Sequence, residues 1–162
     1  MNKSVFKEVI NASKEKTWDV LFNQYGHIQT HNPTMSSSNY MNKATQGELN
    51  CVRHTEFGPK YFIDEKISAA SENKNMTVVV TNHNLPMVKK MSATYELSSL
   101  ENGATELKMT STSTFFPGFM KYLMRGQMGN SLLKHLFGMK YYIETGKTVD
   151  EGNYDKIFKE YA

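Results

Sequence analysis

The sequence predicts an α+β fold in which an antiparallel sheet of about seven strands wraps around a long C-terminal helix. Two observations predict it. Apolar residues recur at helical spacing after residue 117, and the preceding part of the chain is a succession of strand-like segments with turn residues between them. No segment of crossover length separates the later strands, which favours an antiparallel meander.

The N-terminal part is expected to form one strand followed by two short helices. The first strand runs from Val5 to Ile10, and Ser13 is a suitable N-cap for a short helix that contains residues 16–22. A second helical turn at residues 26–31 should end at Asn32, because the residue before a proline disfavours the helical conformation.

The middle of the chain is expected to form six more strands, at residues 35–42, 49–57, 61–70, 76–84, 88–99 and 104–115. Residues alternate between two faces in the last two of these strands. One face of the final strand carries Leu107, Met109, Ser111, Ser113 and Phe115. Small polar serines on an apolar face are unusual in a dry core, so this face is expected to border a cavity.

The C-terminal helix is predicted from Phe119 to Gly146, with Pro117 suited to its start. Its apolar stripe consists of Met124, Met128, Leu132, Leu136, Met139 and Ile143. Three glycines inside the helix, at positions 126, 129 and 138, each cost about 1 kcal/mol relative to alanine. We therefore expect close packing against the sheet. Tyr154 to Tyr161 should add one more helical turn.

Length and composition indicate one domain over residues 1–162, with residues 150–162 as a peripheral tail. The net charge of +3 comes from scattered residues, so no nucleic-acid partner is expected. Cys51 is the only cysteine and is expected to be an inert core thiol. Without a signal sequence or a long apolar segment, we expect a cytoplasmic protein with no stable membrane insertion, as a monomer or homodimer. No cofactor is expected.

The hairpin between residues 49–57 and 61–70 places two charges on the inner face of the sheet. A turn centred on Pro59 pairs Thr55 with Ile63, and the same register sets Arg53 opposite Glu65. Two inward charges are costly unless they meet each other or a polar ligand. A structural ion pair and a ligand anchor are both compatible with this pattern.

Other chemistry-bearing residues give weaker signals. His27 and His31 have the i, i+4 spacing of metal ligands, but no third ligand is placed by the sequence, so no metal site is predicted. His54, His83 and His135 could each act as a general base, yet none lies in a recognisable catalytic motif. No catalytic residue is assigned, and an enzymatic activity is not the favoured interpretation.

Four segments in order resemble motifs of the START-like superfamily, also called SRPBCC. They are Asn11–Leu21, with Lys14 where the pattern has proline, His31–Pro33, with His31 in place of tryptophan, Cys51–Arg53 and Ile63–Ile67. The most similar branch is the polyketide cyclase/dehydrase-like and lipid-transport-like group. The resemblance spans about residues 3–146 and implies the helix-grip fold, in which the sheet grips the C-terminal helix.

The resemblance implies a deep cavity between the sheet and the C-terminal helix, with the Gly58–Lys60 loop as a gate beside Leu85 and Pro86. The leading hypothesis is binding, transport or sequestration of a hydrophobic or amphipathic molecule, lipid-like or aromatic and polyketide-like. The inward lysine of hormone-binding relatives has no equivalent in this chain. The expected lining is Met91, Tyr95, Met109, Met128, Leu132 and Leu136, with Arg53 and Glu65 as the polar anchor.

Two alternatives remain open. A cyclase, dehydratase or hydrolase would use Glu65 as acid or base and Arg53 to stabilise an enolate-like oxyanion. A purely protein-binding role, as in chaperone-activating relatives of this fold, would be favoured by an inverted sheet register with the cavity face filled by large side chains.

Overall fold

The computed structural model describes all residues, 1–162, as one sheet with helices on one face and at its ends. Its strands are β1 (Asn2–Ile10), β2 (Ser37–Tyr40), β3 (Val52–Phe57), β4 (Tyr61–Ser71), β5 (Asn75–His83), β6 (Val88–Ser99) and β7 (Thr105–Phe115). Its helices are α1 (Lys14–Trp18), which continues as a π-helical turn (Asp19–Asn23), a 3₁₀ helix (Tyr25–Thr30), α2 (Met120–Thr145) and α3 (Tyr154–Tyr161).

The sheet is antiparallel throughout, with the spatial order β1-β7-β6-β5-β4-β3-β2. Strands β2 to β7 therefore form the predicted meander, and β1 joins it by pairing with β7. The seven strands and the long C-terminal helix confirm the α+β architecture. The Ser13 side chain accepts a hydrogen bond from the Lys16 backbone N–H at 3.2 Å, as expected of an N-cap.

The region between β2 and β3 differs from the prediction. Both strands are shorter than expected, because Asn42, Lys43 and Asn50 have φ angles of 56°, 63° and 69°. These left-handed conformations interrupt strand pairing, and asparagine tolerates them better than most residues. Residues 41–51 therefore form a loop, which includes residues 41–42 and 49–51 that the sequence predicted as strand ends.

The core lies where the C-terminal half of α2 crosses the inner face of the sheet. Its buried side chains come from both the sheet and the helices, and they include Ile10, Trp18, Leu107, Met109, Leu136, Met139 and Ile143. Cys51 is buried in the same cluster as a free thiol. α3 packs on the outer side of α2, where Phe137 meets Tyr154 and Phe158 edge to face.

The three glycines of α2 have different surroundings. A Cβ atom on Gly138 would lie 2.1 Å from the backbone oxygen of His31, so this position requires glycine. A Cβ atom on Gly126 or Gly129 would meet nothing within 4 Å. Close packing thus explains only Gly138, and the expectation that all three glycines pack tightly was wrong. No helix in the structure combines the length and apolar character needed to span a bilayer.

Candidate functional site: a cavity under the first half of the long helix

A cavity of about 220 Å³ lies between the inner face of the sheet, the 3₁₀ helix and the first half of α2. Strands β3 to β7 supply its floor, and α2 covers it with residues such as Met124 and Met128. Leu85 and Pro86 in the β5–β6 loop line it as well, together with Phe57 at the end of β3. Gly58, Pro59 and Lys60 do not line the cavity but follow Phe57 directly.

Six of the eight predicted ligand-binding residues line this cavity: Arg53, Glu65, Met91, Tyr95, Met128 and Leu132. Met109 and Leu136 do not line it and belong to the close-packed core. Met109 lies opposite Tyr95 in the β6–β7 ladder and is fully buried, as is Leu136. The apolar stripe of α2 thus leaves the cavity after Leu132 and His135, because beyond that point the helix packs directly on neighbouring side chains.

Arg53 and Glu65 meet on the inner face of the sheet in the predicted register. They are paired across β3 and β4, as Thr55 and Ile63 are. The Nε and Nη2 atoms of Arg53 lie 2.9 and 2.8 Å from the same carboxylate oxygen, Oε2 of Glu65. Arg53 is 4% exposed and Glu65 8%, so this is a buried ion pair.

Tyr25 of the 3₁₀ helix completes the surroundings of Arg53. Arg53 Nη1 donates to the Tyr25 backbone oxygen at 2.9 Å, and the guanidinium carbon lies 3.9 Å from the centre of the Tyr25 ring. The Tyr25 hydroxyl donates to the backbone oxygen of Glu65 at 3.0 Å. Burial lowers the pKa of Arg53, but the Glu65 carboxylate more than offsets this, and the net pKa is raised. Arg53 is therefore a permanent cation with a fixed orientation.

A β-bulge lies beside Glu65. Asp64 pairs with Asn82 and Glu65 with Val80, so Thr81 has no partner in the ladder. The Thr81 hydroxyl donates to the Asp64 backbone oxygen at 3.2 Å. Bulges bend a strand and re-aim the adjacent side chains, and this one lies where Glu65 turns toward the cavity.

A second polar pair, Tyr95 and His135, lies on the cavity wall. The Tyr95 hydroxyl is 3.2 Å from Nε2 of His135, while Nδ1 of His135 is buried without a partner. Burial, together with nearby His31 and Arg53, lowers the pKa of His135 well below its ordinary value. Burial raises the pKa of Tyr95. At neutral pH the pair is therefore an uncharged imidazole and a protonated phenol.

The tautomer of His135 follows from its unpartnered nitrogen. An N–H group buried without an acceptor costs more than a lone pair without a donor. On this ground we assign the proton to Nε2, which then donates it to the Tyr95 oxygen. The hydroxyl proton of Tyr95 is then free to be donated to another acceptor in the cavity.

The carboxylate of Glu65 has a similar free position. Both contacts from Arg53 go to Oε2, and no side chain or backbone group donates to Oε1. Oε1 is not among the fully enclosed polar atoms that lack a partner, so it is accessible from the cavity. Next to the ion pair, the cavity wall thus offers an acceptor, Glu65 Oε1, and a donor, the Tyr95 hydroxyl.

His135, Ile28 and Asn32 line the cavity but were not among the predicted lining residues. His135 follows Met128 by seven positions and Leu132 by three, so helical periodicity could have placed it on the same face. No sequence signal placed the 3₁₀ helix against the sheet, and Ile28 and Asn32 could not have been assigned from periodicity. Asn32 is 2% exposed, and its side-chain oxygen accepts from the Thr34 backbone N–H at 3.0 Å.

The remaining histidines are dispersed. His27 is exposed and contacts the Tyr40 ring edge-on, whereas His31 is buried with its ring centre 5.9 Å from that of His135. His27 and His31 therefore do not share a site. His54 pairs with Asp64 at 2.6 Å, and His83 accepts from the Leu85 backbone N–H at 3.2 Å. No three His, Cys, Asp or Glu side chains are grouped closely enough to hold a metal ion.

No protein-family model and no curated protein matches the chain. Several solved structures are similar to this chain in fold. The XoxI protein from Bacillus cereus superimposes with a TM-score of 0.73 at 14% identity, covering 88% of this chain and 96% of its own. Ginseng major latex-like protein 151 from Panax ginseng gives 0.69 at 12% identity, with 87% and 96% covered. The Ara h 8.0201 structure gives 0.67 at 14% identity, with 88% and 98% covered.

Identities this low establish the fold alone. The similarity extends over most of this chain and nearly all of each neighbour, and it confirms the predicted helix-grip fold, of the Bet v 1-like type. The assignment to the START-like branch of the superfamily stays a prediction.

Proposed function

We propose that this protein binds a small amphipathic molecule in the cavity beneath the first half of α2. The apolar body of the ligand lies against Met91, Met128 and Leu132, and its polar group reaches Glu65 and Tyr95. The observation that carries the proposal is a largely apolar cavity of about 220 Å³ with a buried, oriented ion pair on its wall.

The energetics of an unfilled cavity support a ligand. At ~24 cal/mol per Å³, a fully enclosed and empty void of this size would forgo about 5 kcal/mol of packing, which is an upper bound for a cavity with an open mouth. Small domains have only ~5–15 kcal/mol of stability in total. A ligand present at a hundred times its Kd adds about 2.7 kcal/mol to the free energy of unfolding. Occupancy therefore offsets a substantial part of the cost of the cavity.

The polar groups favour an amphipathic ligand over a plain hydrocarbon. A hydrocarbon would cover Glu65 Oε1 and the Tyr95 hydroxyl without replacing their hydrogen bonds, and unsatisfied buried polar groups cost about 1–3 kcal/mol each. A ligand hydroxyl can donate to Glu65 and accept from Tyr95. This geometry supports the anchor interpretation of the Arg53–Glu65 pair over a purely structural one.

Native mass spectrometry of the freshly purified full chain tests the proposal directly. A stoichiometric adduct that is released on denaturation is the expected result, and its mass and fragmentation identify the molecule. A bare protein mass, combined with no thermal stabilisation by any amphipathic probe, contradicts the proposal.

A matched pair of probes tests the polar anchor. Naphthalene and 2-naphthol differ by one hydroxyl group, and Glu65→Gln should weaken 2-naphthol binding by roughly tenfold while leaving naphthalene binding nearly unchanged. Glu72→Gln, in the exposed β4–β5 turn, is the control for losing a carboxylate elsewhere. Equal losses of affinity for naphthalene and 2-naphthol in Glu65→Gln would contradict the anchor role, because the effect would then not depend on the ligand hydroxyl.

An acid–base enzyme of the cyclase or dehydratase kind is the second candidate, and the Tyr95–His135 pair favours it. The Tyr95 phenol contacts His135 and lines the same cavity as the Glu65 carboxylate, and such chemistry requires an acid and a base in one site. Arg53 is less suited to stabilising an oxyanion than the sequence suggested, because three of its N–H groups already bind Glu65 and Tyr25. Incubating the released ligand with protein distinguishes the two: a product formed by wild type and not by Tyr95→Phe identifies an enzyme.

A protein-binding role has less support. An inverted register between β3 and β4 would have favoured it, and the observed register is the one that turns Arg53 and Glu65 inward.

A further inference from the structure

Large apolar side chains are exposed beside the mouth of the cavity. The β5–β6 loop, the segment before α2 and the first turns of α2 present them together, because the Phe116 backbone N–H donates to the Met87 backbone oxygen at 2.9 Å. We call this set the mouth patch: Met87, Phe116, Phe119, Tyr122 and Leu123. Its α2 and pre-helix members are 61–73% exposed. Grouped apolar exposure of this kind marks an interaction surface.

The mouth patch adjoins the cavity opening. Pro86 and Met124 line the cavity, and they are the immediate sequence neighbours of Met87 and Leu123. At the start of α2, the N-cap residue Phe119 and the helix residues Tyr122 and Leu123 are spaced i, i+3 and i+4, and all three are exposed. A surface that covers the patch would therefore also cover the opening.

Five cations are close in sequence to the residues of the mouth patch and of the cavity wall. Each lies within three positions of a cavity-lining residue, and none forms an ion pair with a carboxylate: Lys60, Lys89, Lys90, Lys121 and Arg125. Neither residues 73–95 nor residues 107–143 contain an Asp or Glu. Glu56, the nearest acidic residue before the β3–β4 turn, accepts a hydrogen bond from the Ser37 hydroxyl at 2.7 Å. These five charges exceed the net charge of +3, so the rest of the molecule is net negative.

We propose that the mouth patch docks on the surface of an anionic lipid bilayer, with its apolar side chains in the headgroup boundary and the five cations on the lipid phosphates. Aromatic and aliphatic side chains interleaved with Lys and Arg are the composition of interfacial membrane-binding surfaces. Each cation near an anionic surface adds to the attraction, and long cationic side chains keep their charges at headgroup level. Lys121 lies 4.8 Å from the centre of the Tyr122 ring, a pairing suited to that level.

A bilayer fits this surface better than a protein partner does. The nearby charges are all positive, and residues 73–95 and 107–143, which carry four of the five cations, contain none of the acidic groups of a typical protein interface rim. Docking in this orientation opens the cavity toward the membrane, so an apolar molecule can pass between lipid and cavity without crossing water.

Vesicle flotation of the full chain tests the proposal without any cavity ligand, so its outcome is independent of the proposed function. Wild type should float with phosphatidylcholine vesicles that contain about 30% phosphatidylserine, bind phosphatidylcholine alone more weakly, and lose binding at about 0.5 M salt.

Matched variants locate the surface. Leu123→Ser and the double variant Lys121→Gln/Arg125→Gln should each reduce the partition coefficient by roughly tenfold. The controls Leu133→Ser, which is also exposed on α2, and Lys156→Gln/Lys159→Gln on α3 should bind as wild type does. Circular dichroism and urea unfolding confirm that each variant retains its fold and stability.

Two outcomes overturn the proposal. Wild type that fails to float with anionic vesicles shows that the patch does not bind a bilayer, and a protein partner then becomes the alternative occupant to test. Equal losses in the mouth-patch variants and in the controls show that vesicle binding is a property of the whole surface.

Discussion

The two halves of α2 belong to one continuous helix but have different surroundings. In residues 120–134 only Met120 is buried, and this half covers the cavity and presents the mouth patch. Residues 135–139 are all buried, and this half packs into the core or against β1. Gly126 and Gly129 lie in the first half and face open space, whereas Gly138 lies in the second and contacts His31. A uniform apolar stripe thus serves as a cavity wall in one half and as core in the other.

The largest effect should come from truncating a core leucine. Leu136→Ala removes a side chain that is 1% exposed and leaves a cavity, so it should lower the free energy of unfolding by about 3 kcal/mol. Leu132→Ala, which enlarges an existing cavity, should cost about 1 kcal/mol and weaken naphthalene binding more than Leu136→Ala does. Urea unfolding and probe titration measure both quantities. Equal stability losses would erase the distinction between the two halves.

Gly138→Ala should lower the free energy of unfolding nearly as much as Leu136→Ala does. The added Cβ meets a backbone oxygen at 2.1 Å, and the resulting shift of helix or loop should cost about 2 kcal/mol. The same methyl group at Gly129 meets nothing, so Gly129→Ala is the matched control within the same helix. If both variants unfold at the same denaturant concentration, position 138 has room for a methyl group and does not contact the His31 backbone closely.

Two buried histidines, His135 on α2 and His31 beside it, predict that the fold loses stability in acid. Burial and the charge of Arg53 lower the pKa of His31 to about 3, from 6.5. The unfolded chain therefore binds a proton that the folded chain excludes, and stability falls as pH drops below about 6.5. At pH 5 this contribution is about 2 kcal/mol for His31, and His135 acts in the same direction.

Unfolding free energies measured at neutral pH and near pH 5 check this dependence. His31→Gln should show a smaller loss between the two conditions than wild type, whatever its stability at neutral pH. The matched control is His27→Gln, four positions away and exposed, which should keep the wild-type difference. An unchanged loss in His31→Gln would mean that other groups cause the acid sensitivity.

The smallest effect is a stabilisation. Gly126→Ala and Gly129→Ala should each add about 1 kcal/mol to the free energy of unfolding, because alanine restricts the unfolded chain and no contact opposes its methyl group. Scanning calorimetry should show a rise in Tm of about 2–4 °C per substitution. A fall in Tm would indicate that the first half of α2 packs more closely than the structure shows.

The sequence by itself determined the fold. Strand alternation, the turn residues and the helical stripe after Pro117 are local patterns, and they were sufficient to predict the meander and the long helix. The Pro59 turn also fixed the register that sets Arg53 opposite Glu65, since a shift of one residue would have turned both charges outward.

Only the tertiary structure decided which residues line the cavity. Leu132 and Leu136 are four positions apart on one helical stripe, and local periodicity cannot distinguish them. Their difference depends on the separation between helix and sheet at each position, which distant contacts such as Gly138 with His31 determine. The packing of the 3₁₀ helix brought Ile28 and Asn32 to the site for the same reason. Patterns within one element define its faces, whereas a cavity is a property of the space between several elements.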